Sequence, residues 1–225
     1  MVTAIIVAAG KSERMGAGTD KAFLSLGQKP VLAWSLLAFE HAPEVDGIVL
    51  VVRKDQLTAA KAAGRMFGIS KLKKIVAGGA RRQDSVQNGL KEVDSDTRVV
   101  LVHDGARPCV TPALIAETVR LVKRFGAVAP GRRIYDTVKV VEKNLSVSST
   151  ADRAKLWTVQ TPQAFNVRLL QRAYAEVEKR KVEVSDDAQA VELLGETVRI
   201  CEWTAANVKI TTPEDLQTAA AALKL

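Results

Sequence analysis

The sequence predicts an α/β protein in which helices cover both faces of a mostly parallel sheet. Short, continuous runs of apolar, largely β-branched residues recur along the chain, as is typical of strands that are buried on both faces. Helical patterns separate these runs, and alternation of strand and helix indicates a parallel sheet. A chain of 225 residues with 47% hydrophobic and 26% charged residues can also bury a large core. We therefore expect one Rossmann-like three-layer domain over residues 1–225.

The predicted strands and helices follow one another along most of the chain. The apolar runs are 4–8, 48–52, 75–76, 99–102, 127–129 and 198–201, and the helical patterns are 31–39, 56–67, 86–93 and 114–125. Thr111, followed by a proline, is suited to cap the start of the fourth helix, and Gly126 is suited to end it. Thr212, again followed by a proline and then by two acidic residues, predicts a last helix that begins just after Lys209.

Residues 136–165 interrupt the alternation of strands and helices. The segment has period-two stretches around Lys143 and Asn144 and contains no helical pattern of normal length. We interpret it as an antiparallel β-hairpin arm that projects from the sheet. Apolar residues on one side of such an arm need a cover, which either a dimer partner or the arm's own domain would supply. Residue spacing alone leaves both possibilities open.

Composition restricts the location and the partners of the chain. No apolar run approaches the roughly 20 residues that span a bilayer, and residues 1–9 lack the basic start and the cleavage site of a signal peptide. We therefore expect a cytoplasmic protein with no membrane partner. Two cysteines and two histidines are too few and too scattered for a zinc site. The net charge of +8 indicates an anionic partner, and the 4% aromatic content favours small phosphates over nucleic acid.

The stretch VAAGKSERMG, residues 7–16, places a glycine and basic side chains after the first predicted strand. Its centre looks like the end of a phosphate-binding P-loop, but the first glycine of that motif would fall on Ile5, inside the strand. A dinucleotide-binding fingerprint would need glycines at Ser12 and Met15. Because neither motif is present, we interpret the stretch as a basic loop that holds another kind of anion.

Cationic side chains follow several of the predicted strands. The carboxyl ends of parallel strands meet at one edge of an open α/β sheet, where ligands bind. The loops at this edge carry Gly10, Lys11, Arg14, Lys21, Gly78, Gly79, Arg81, Arg82, Ser85, Asp104, Ala106, Arg107 and Lys209. Glycine lets the backbone approach a ligand closely, and Arg and Lys are the side chains that hold phosphate. One such cation alone would be an ordinary surface charge, whereas several at one edge predict a phosphate site.

Asp104 is a carboxylate among these cations. In such a place it binds a ribose hydroxyl, binds Mg²⁺ or pairs with Arg107, and for the residue taken alone we favour the ion pair. A site rich in Arg and Lys and poor in His suits phosphate chemistry without a protein nucleophile. An acceptor that is itself a phosphate monoester is largely a dianion at neutral pH and attacks phosphorus without a general base. The enzyme then cancels charge and aligns the two reactants.

Seven motifs occur in the order found in the 2-C-methyl-D-erythritol 4-phosphate cytidylyltransferase family. They are AAGKSERMG with Lys21, GGARRQDSV, VHDGARPCV, DTVK, ADRAKLWTVQTPQAF, SDDAQAVELLG and NVKITTPEDL. The chain resembles this family over its whole length. The resemblance implies transfer of CMP from CTP, with Mg²⁺, to methylerythritol phosphate in non-mevalonate isoprenoid biosynthesis. It also implies a homodimer formed through the hairpin arm, which decides the question that spacing left open.

The resemblance further implies roles for individual residues. The catalytic residues it implies are Arg14, Lys21, Arg153 and Lys209. The CTP-binding residues are Ala8, Ala9, Gly10, Lys11, Gly79, Ser85, Asp104 and Ala106, with Asp104 also the candidate metal ligand. The acceptor-binding residues are Arg107, Thr137, Thr161 and Ser185, and Thr137 and Arg153 would reach the active site of the partner.

Two other functions remain open from the sequence. A related cytidylyltransferase would act on ribitol 5-phosphate with the same CTP site, although the arm and the TPQAF motif resemble the methylerythritol phosphate enzymes. A basic nucleic-acid-binding module would show salt-sensitive binding and no turnover.

Overall fold

A computed structural model describes residues 1–10 and 21–225, which form twelve β-strands and seven α-helices. The strands are β1 (Val2–Ala8), β2 (Ser25–Leu26), β3 (Lys29–Pro30), β4 (Gly47–Val52), β5 (Leu72–Ala77), β6 (Val99–Asp104), β7 (Ala127–Arg133), β8 (Lys139–Val141), β9 (Val147–Thr150), β10 (Trp157–Val159), β11 (Gln163–Asn166) and β12 (Arg199–Glu202). The helices are α1 (Val31–Glu40), α2 (Leu57–Met66), α3 (Arg82–Leu90), α4 (Pro112–Phe125), α5 (Val167–Arg180), α6 (Asp187–Glu192) and α7 (Glu214–Leu223).

The central sheet has eight strands and is mostly parallel on one side. Its order is β10-β7-β11-β6-β1-β4-β5, and β12 pairs with β7. The pairs of β1 with β4, β1 with β6 and β4 with β5 are parallel, as is the pair of β7 with β12. β11 runs antiparallel to β6 and β7, and β10 runs antiparallel to β7. The predicted α/β class with a mostly parallel sheet is confirmed.

Successive residues of β1 supply the cores on the two faces of the sheet. Ile6 packs in a core with residues of α1, α2 and α4, whereas Ile5 packs in a second core with residues of α3, α5 and α6. All seven residues of β1 are buried, as expected for a strand that is covered on both faces. Helices therefore form a layer on each side of the sheet.

The residue patterns identified most of the elements correctly. Each predicted apolar run overlaps a strand, and the four predicted helices correspond to α1–α4. The Thr111 hydroxyl accepts a hydrogen bond from the backbone N–H of Leu114, and Gly126 ends α4 with a φ of 80°. The sequence patterns did not identify α5 or α6.

The start of the last helix differs from the prediction. Pro213, not Thr212, is the N-cap residue of α7, and no side chain caps the helix from that position. Instead, the Asp215 carboxylate accepts hydrogen bonds from the backbone N–H groups of Thr211 and Thr212, at 2.7 and 2.9 Å. An acid in the first turn of the helix thus accepts from the backbone of the two residues before the N-cap.

Residues 136–165 contain one separate hairpin and two strands of the central sheet. β8 and β9 pair antiparallel in a sheet of their own, and all their residues are exposed. β10 pairs with β7, and β11 lies between β6 and β7 in the central sheet. The hairpin is therefore the pair β8–β9, and the last part of the predicted arm belongs to the domain body.

Candidate functional site

A cavity of about 330 Å³ lies at the carboxyl ends of β1, β4, β5 and β6. Its described lining residues are Val7, Ala8, Ala9, Gly10, Lys21, Ala22, Arg53, Lys54, Gly78, Gly79, Ala80, Arg81, Arg82, Ser85, Asp104, Ala106 and Lys209. Six of these residues are cationic, and Asp104 is the one carboxylate among them. The edge of the sheet that the sequence predicts as a phosphate site thus carries a cation-lined cavity.

Two glycines let the loop after β5 approach its neighbours closely. A Cβ at Gly78 would lie 2.3 Å from the Cβ of Ala9, and one at Gly79 would lie 2.4 Å from the Cβ of Asp84. The backbone N–H of Gly79 donates to the Ser85 hydroxyl at 3.1 Å. Side chains at these positions would push the loop away from Ala9, which follows β1, and from Asp84 of α3.

Asp104, at the end of β6, is held by cations on both carboxylate oxygens. Arg82 Nε donates to Oδ1 at 3.0 Å, and Lys209 Nζ donates to Oδ2 at 2.6 Å. Arg107 Nε lies 4.0 Å from Oδ2, so the predicted pair with Arg107 is the longest of the three. Burial alone would raise the pKa of the Asp104 carboxyl, but the charges of Arg82 and Lys209 outweigh it and hold that pKa well below its usual range. Asp104 is therefore a fixed negative charge at neutral pH.

A relay of hydrogen bonds fixes the backbone next to Asp104. The Asp104 N–H donates to the Thr161 hydroxyl at 3.0 Å, and that hydroxyl lies 3.2 Å from Nδ1 of His103. His103 Nε2 lies 3.3 Å from the carbonyl oxygen of Arg107, which can only accept. Nε2 therefore carries the proton, and Nδ1 accepts from the hydroxyl. Burial lowers the pKa of His103 to about 3, so the ring is neutral at physiological pH.

A second carboxylate lies behind the cavity. Asp187, at the start of α6, is fully buried, and its Oδ2 accepts from Arg82 Nη2 at 2.8 Å. Its Oδ1 accepts from the Tyr174 hydroxyl at 2.5 Å. Burial, followed by the negative charge of Asp187, raises the pKa of Tyr174 well above its usual value, so the phenol stays a donor. Arg82 is thus shared between Asp187 and Asp104.

The structure brings together most, but not all, of the predicted site residues. The described residues that line the cavity as predicted are Ala8, Ala9, Gly10, Lys21, Gly79, Ser85, Asp104, Ala106 and Lys209. Arg107 and Thr161 lie against the same site through their contacts with Asp104. Lys11 and Arg14 lie outside the described residues.

Three other predicted site residues, one catalytic and two acceptor-binding, do not line this cavity within one chain. Arg153 is exposed, and its Nη1 donates to the Tyr135 carbonyl oxygen at 2.6 Å. Thr137 is exposed near the base of the hairpin, and Ser185 is exposed two residues before Asp187. The Ser185 N–H donates to the Gln189 side chain at 2.6 Å. None of the three is among the described residues that line the cavity.

Two cationic residues of the cavity were not predicted. Arg53 and Lys54 follow directly after β4 and line the cavity. The rule that ligands bind at the carboxyl ends of parallel strands would have found them, because β4 was itself predicted.

Comparisons with known proteins agree over nearly the whole chain. The family model of 2-C-methyl-D-erythritol 4-phosphate cytidylyltransferase matches residues 2–225. A relative of that name from Alkaliphilus metalliredigens is 42% identical over 216 residues, which are 96% of this chain and 90% of the relative. A crystal structure of 4-diphosphocytidyl-2C-methyl-D-erythritol synthase from Anaerococcus prevotii has a TM-score of 0.88 and 31% identity, and it covers 100% of this chain and 96% of that one. The cytidylyltransferase structure from Thermus thermophilus has a TM-score of 0.81 and 32% identity, with 98% of both chains covered.

An α/β sheet with a cation-lined cavity at its strand ends, together with these relatives, defines a nucleotidyltransferase. Arg and Lys are the side chains that hold phosphate groups. The chain belongs to the 2-C-methyl-D-erythritol 4-phosphate cytidylyltransferase family. It transfers CMP from CTP to methylerythritol phosphate, a step in the non-mevalonate synthesis of isoprenoid precursors. In the described part of the chain, no helix has the length and apolar character to cross a membrane.

Proposed function

We propose that the cavity at the strand ends is the CTP site of this cytidylyltransferase. The observation that carries the proposal is that six cationic side chains and the Gly78–Gly79 turn line a single cavity. Gly79 and Ser85 lie against the cytosine, and Asp104 and Ala106 border the ribose. The triphosphate lies along the end of β1 and the loop after it, which carry Ala8, Ala9, Gly10 and Lys11.

The proposed reaction needs no protein nucleophile. A phosphate oxygen of methylerythritol phosphate attacks the α-phosphorus of CTP, and the bond from that phosphorus to the bridging oxygen breaks. Pyrophosphate leaves, and 4-diphosphocytidyl-2-C-methyl-D-erythritol is formed. Arg14 and Lys21 stabilise the negative charge that spreads over the α-phosphate during transfer.

The acceptor occupies the side of the site near Lys209. Arg107, Thr161, Ser185 and Lys209 surround methylerythritol phosphate in this proposal, and Lys209 holds the attacking phosphate. Thr137 and Arg153 of the partner subunit complete the acceptor site in a homodimer. The hairpin supports a dimer because it exposes large apolar side chains that a partner would cover: Leu145 is 84% exposed and Val147 is 59% exposed.

Mg²⁺ fits this site as an ion carried by the substrate. The described residues contain no group of three or more His, Cys, Asp or Glu side chains that would bind a metal by themselves. Mg²⁺ in phosphate-transfer sites is often held by one or two carboxylates and the phosphates. Asp104 is the described carboxylate that could serve, because each of its oxygens has lone pairs beyond the hydrogen bond it accepts. The bound ion would neutralise charge on the triphosphate.

Pyrophosphate release by the purified protein tests the function. We expect release when CTP, Mg²⁺ and methylerythritol phosphate are present together, and none when ATP, GTP or UTP replaces CTP. Pyrophosphate release with ribitol 5-phosphate and none with methylerythritol phosphate would identify ribitol 5-phosphate as the acceptor. Release with neither acceptor, together with salt-sensitive binding of DNA or RNA, would contradict the proposal and favour a nucleic-acid-binding module.

A further inference from the structure

Asp187 is a buried carboxylate that the proposed reaction does not use directly. Its side chain is fully buried, and it is not among the described residues that line the cavity. Both of its oxygens are occupied, by Arg82 Nη2 at 2.8 Å and by the Tyr174 hydroxyl at 2.5 Å. A buried carboxylate costs free energy unless such partners compensate it, so this arrangement requires a physical reason.

Arg82 connects Asp187 to the cavity. Its side chain is 26% exposed and lines the cavity, while Nε donates to Asp104 and Nη2 donates to Asp187. Asp104 in turn accepts from Lys209 on its other oxygen. Tyr174, Asp187, Arg82, Asp104 and Lys209 therefore form one continuous series of contacts from α5 to the loop before α7.

The guanidinium of Arg82 is divided between two carboxylates. A guanidinium that faces one carboxylate alone prefers to bind both of its oxygens through two parallel N–H groups. Here Asp187 takes one of the two nitrogens, so Arg82 gives Asp104 a single hydrogen bond, on Oδ1. The second oxygen of Asp104 is left for Lys209.

Stability alone gives little reason to keep a charge at Asp187. The attraction within a buried ion pair only partly offsets the free energy lost when both charges leave water. Well-packed apolar residues of similar volume often stabilise a fold equally well or better. The pair of Asp187 with Arg82 does, however, hold the planar guanidinium of Arg82 in one orientation beside the cavity.

We infer that Asp187 is a positioning residue for CMP transfer, which acts by dividing Arg82 between two carboxylates and so keeping Oδ2 of Asp104 for Lys209. The inference rests on the proposed roles of Asp104 and Lys209 at the site. Without the Asp187 charge, Arg82 turns both nitrogens to Asp104 and displaces Lys209, the residue that holds the attacking phosphate.

Asp187→Asn tests the inference, because it removes the charge and keeps the shape. We expect kcat to fall at least about tenfold, since small displacements of a positioning group have effects of this size or larger. Binding of CTP, measured by calorimetry, should change by less than about threefold, because the charge lost does not face the cavity. Glu192→Gln, at the exposed end of the same helix, is the matched control and should leave kcat unchanged.

A double variant separates positioning from support of the fold. Arg82→Gln alone leaves the Asp187 carboxylate buried without its cation and should lower Tm, whereas Arg82→Gln with Asp187→Asn removes both charges and should recover part of that loss. In the double variant no guanidinium remains to displace Lys209 from Oδ2 of Asp104, so the inference requires its kcat to exceed that of Asp187→Asn. A kcat in the double variant no higher than in Asp187→Asn would overturn the inference, and so would an unchanged kcat in Asp187→Asn.

Tyr174→Phe keeps the inference testable should Asp187→Asn fail to fold. It removes one donor from the Asp187 carboxylate, and we expect a decrease in kcat of about threefold with unchanged CTP binding. An unchanged kcat in this variant would also count against the inference. An inactive parent enzyme would contradict the proposed function, whereas an active parent with fully active variants would contradict only the role of Asp187.

Discussion

Individual side chains at this site are fixed by charge, as Asp104 shows. Its carboxylate touches Arg82 and Lys209, and its backbone N–H is held by Thr161. Each contact comes from a different element of the fold. The orientation of Asp104 is therefore set before any ligand arrives, which reduces the entropy cost of aligning the reactants.

Lys21 carries the first prediction at the scale of the residue. If it stabilises charge that develops in the transition state, Lys21→Ala should lower kcat by about 100-fold or more and change CTP affinity far less. Steady-state kinetics with a separate CTP binding measurement checks this. Lys61→Ala, an exposed lysine of α2, is the control. A variant that lost CTP affinity while keeping kcat would show that Lys21 only binds the ground state.

His103 makes stability depend on pH. Its pKa is about 3 in the folded chain and about 6.5 when exposed, so the unfolded state binds the proton more readily below about pH 6.5. The stabilisation is complete above that pH and decreases as the pH falls toward the folded pKa. Between about pH 7.5 and about pH 5, the free energy of unfolding should fall by about 2 kcal/mol more in the parent than in His103→Gln. Urea unfolding at the two pH values measures this, and equal losses would contradict a neutral His103.

Helix α3 packs unusually close to the sheet, and this closeness matters for the site because α3 carries Arg82 and Ser85. A Cβ at Gly89 would lie 2.6 Å from Cγ2 of Ile5 and 2.9 Å from Cγ2 of Val51. Both are β-branched residues of buried central strands and have little freedom to rotate away. The absence of a side chain at this position lets the helix approach the strands.

Gly89→Ala should therefore destabilise the protein by about 1–3 kcal/mol, the usual cost of overfilling a packed core. Gly64→Ala in α2 is a matched control, because its new Cβ would meet only the flexible end of the Leu72 side chain. The better helix propensity of alanine offsets that contact, so the control should stay close to the parent. Urea denaturation measures the free energy of unfolding of both variants. Equal values would mean that α3 can move away from the sheet without loss of stability.

The sequence patterns predicted some elements well because those elements depend on local order. The central strands are continuous apolar runs, and their carboxyl ends located Asp104 and the two glycines after β5, while the predicted start of the last helix located Lys209. Helix α6 is too short to show a periodicity, and α5, which has regular apolar spacing at Val167, Leu170 and Tyr174, was overlooked. The role of Asp187 was beyond prediction, because its pair with Arg82 joins residues 105 positions apart.

At the scale of the whole molecule, the proposed dimer makes each active site depend on two chains. Arg153 donates to Tyr135 beside the hairpin and is not among the described residues that line its own chain's cavity. The position of Arg153 outside the cavity lining of its own chain fits the proposed acceptor site that two subunits share.

Mixed dimers of Arg153→Ala and Lys21→Ala subunits test the shared site. Each variant alone should be nearly inactive, whereas a mixed dimer should have one working site, formed by the intact Lys21 of one chain and the intact Arg153 of the other. Differently tagged subunits, purified as mixed dimers and assayed for pyrophosphate release, measure this. Lys155→Ala, a neighbouring exposed cation, is the control for Arg153 and should be active alone. Mixed dimers without activity would contradict the shared site.

The exposed lysines of β5 disfavour self-association through this edge of the sheet. In the described structure β5 is the last strand of the central sheet, and Lys73 and Lys74 are exposed on it. Two copies that tried to extend their sheets through this strand would bring like charges together and would have to strip water from them. Edge-to-edge pairing of sheets from different molecules is thus disfavoured at β5. The β8–β9 hairpin, with its exposed Leu145 and Val147, follows β7 on the opposite side of the sheet. This distribution of charge suits the proposed closed dimer better than an open fibre.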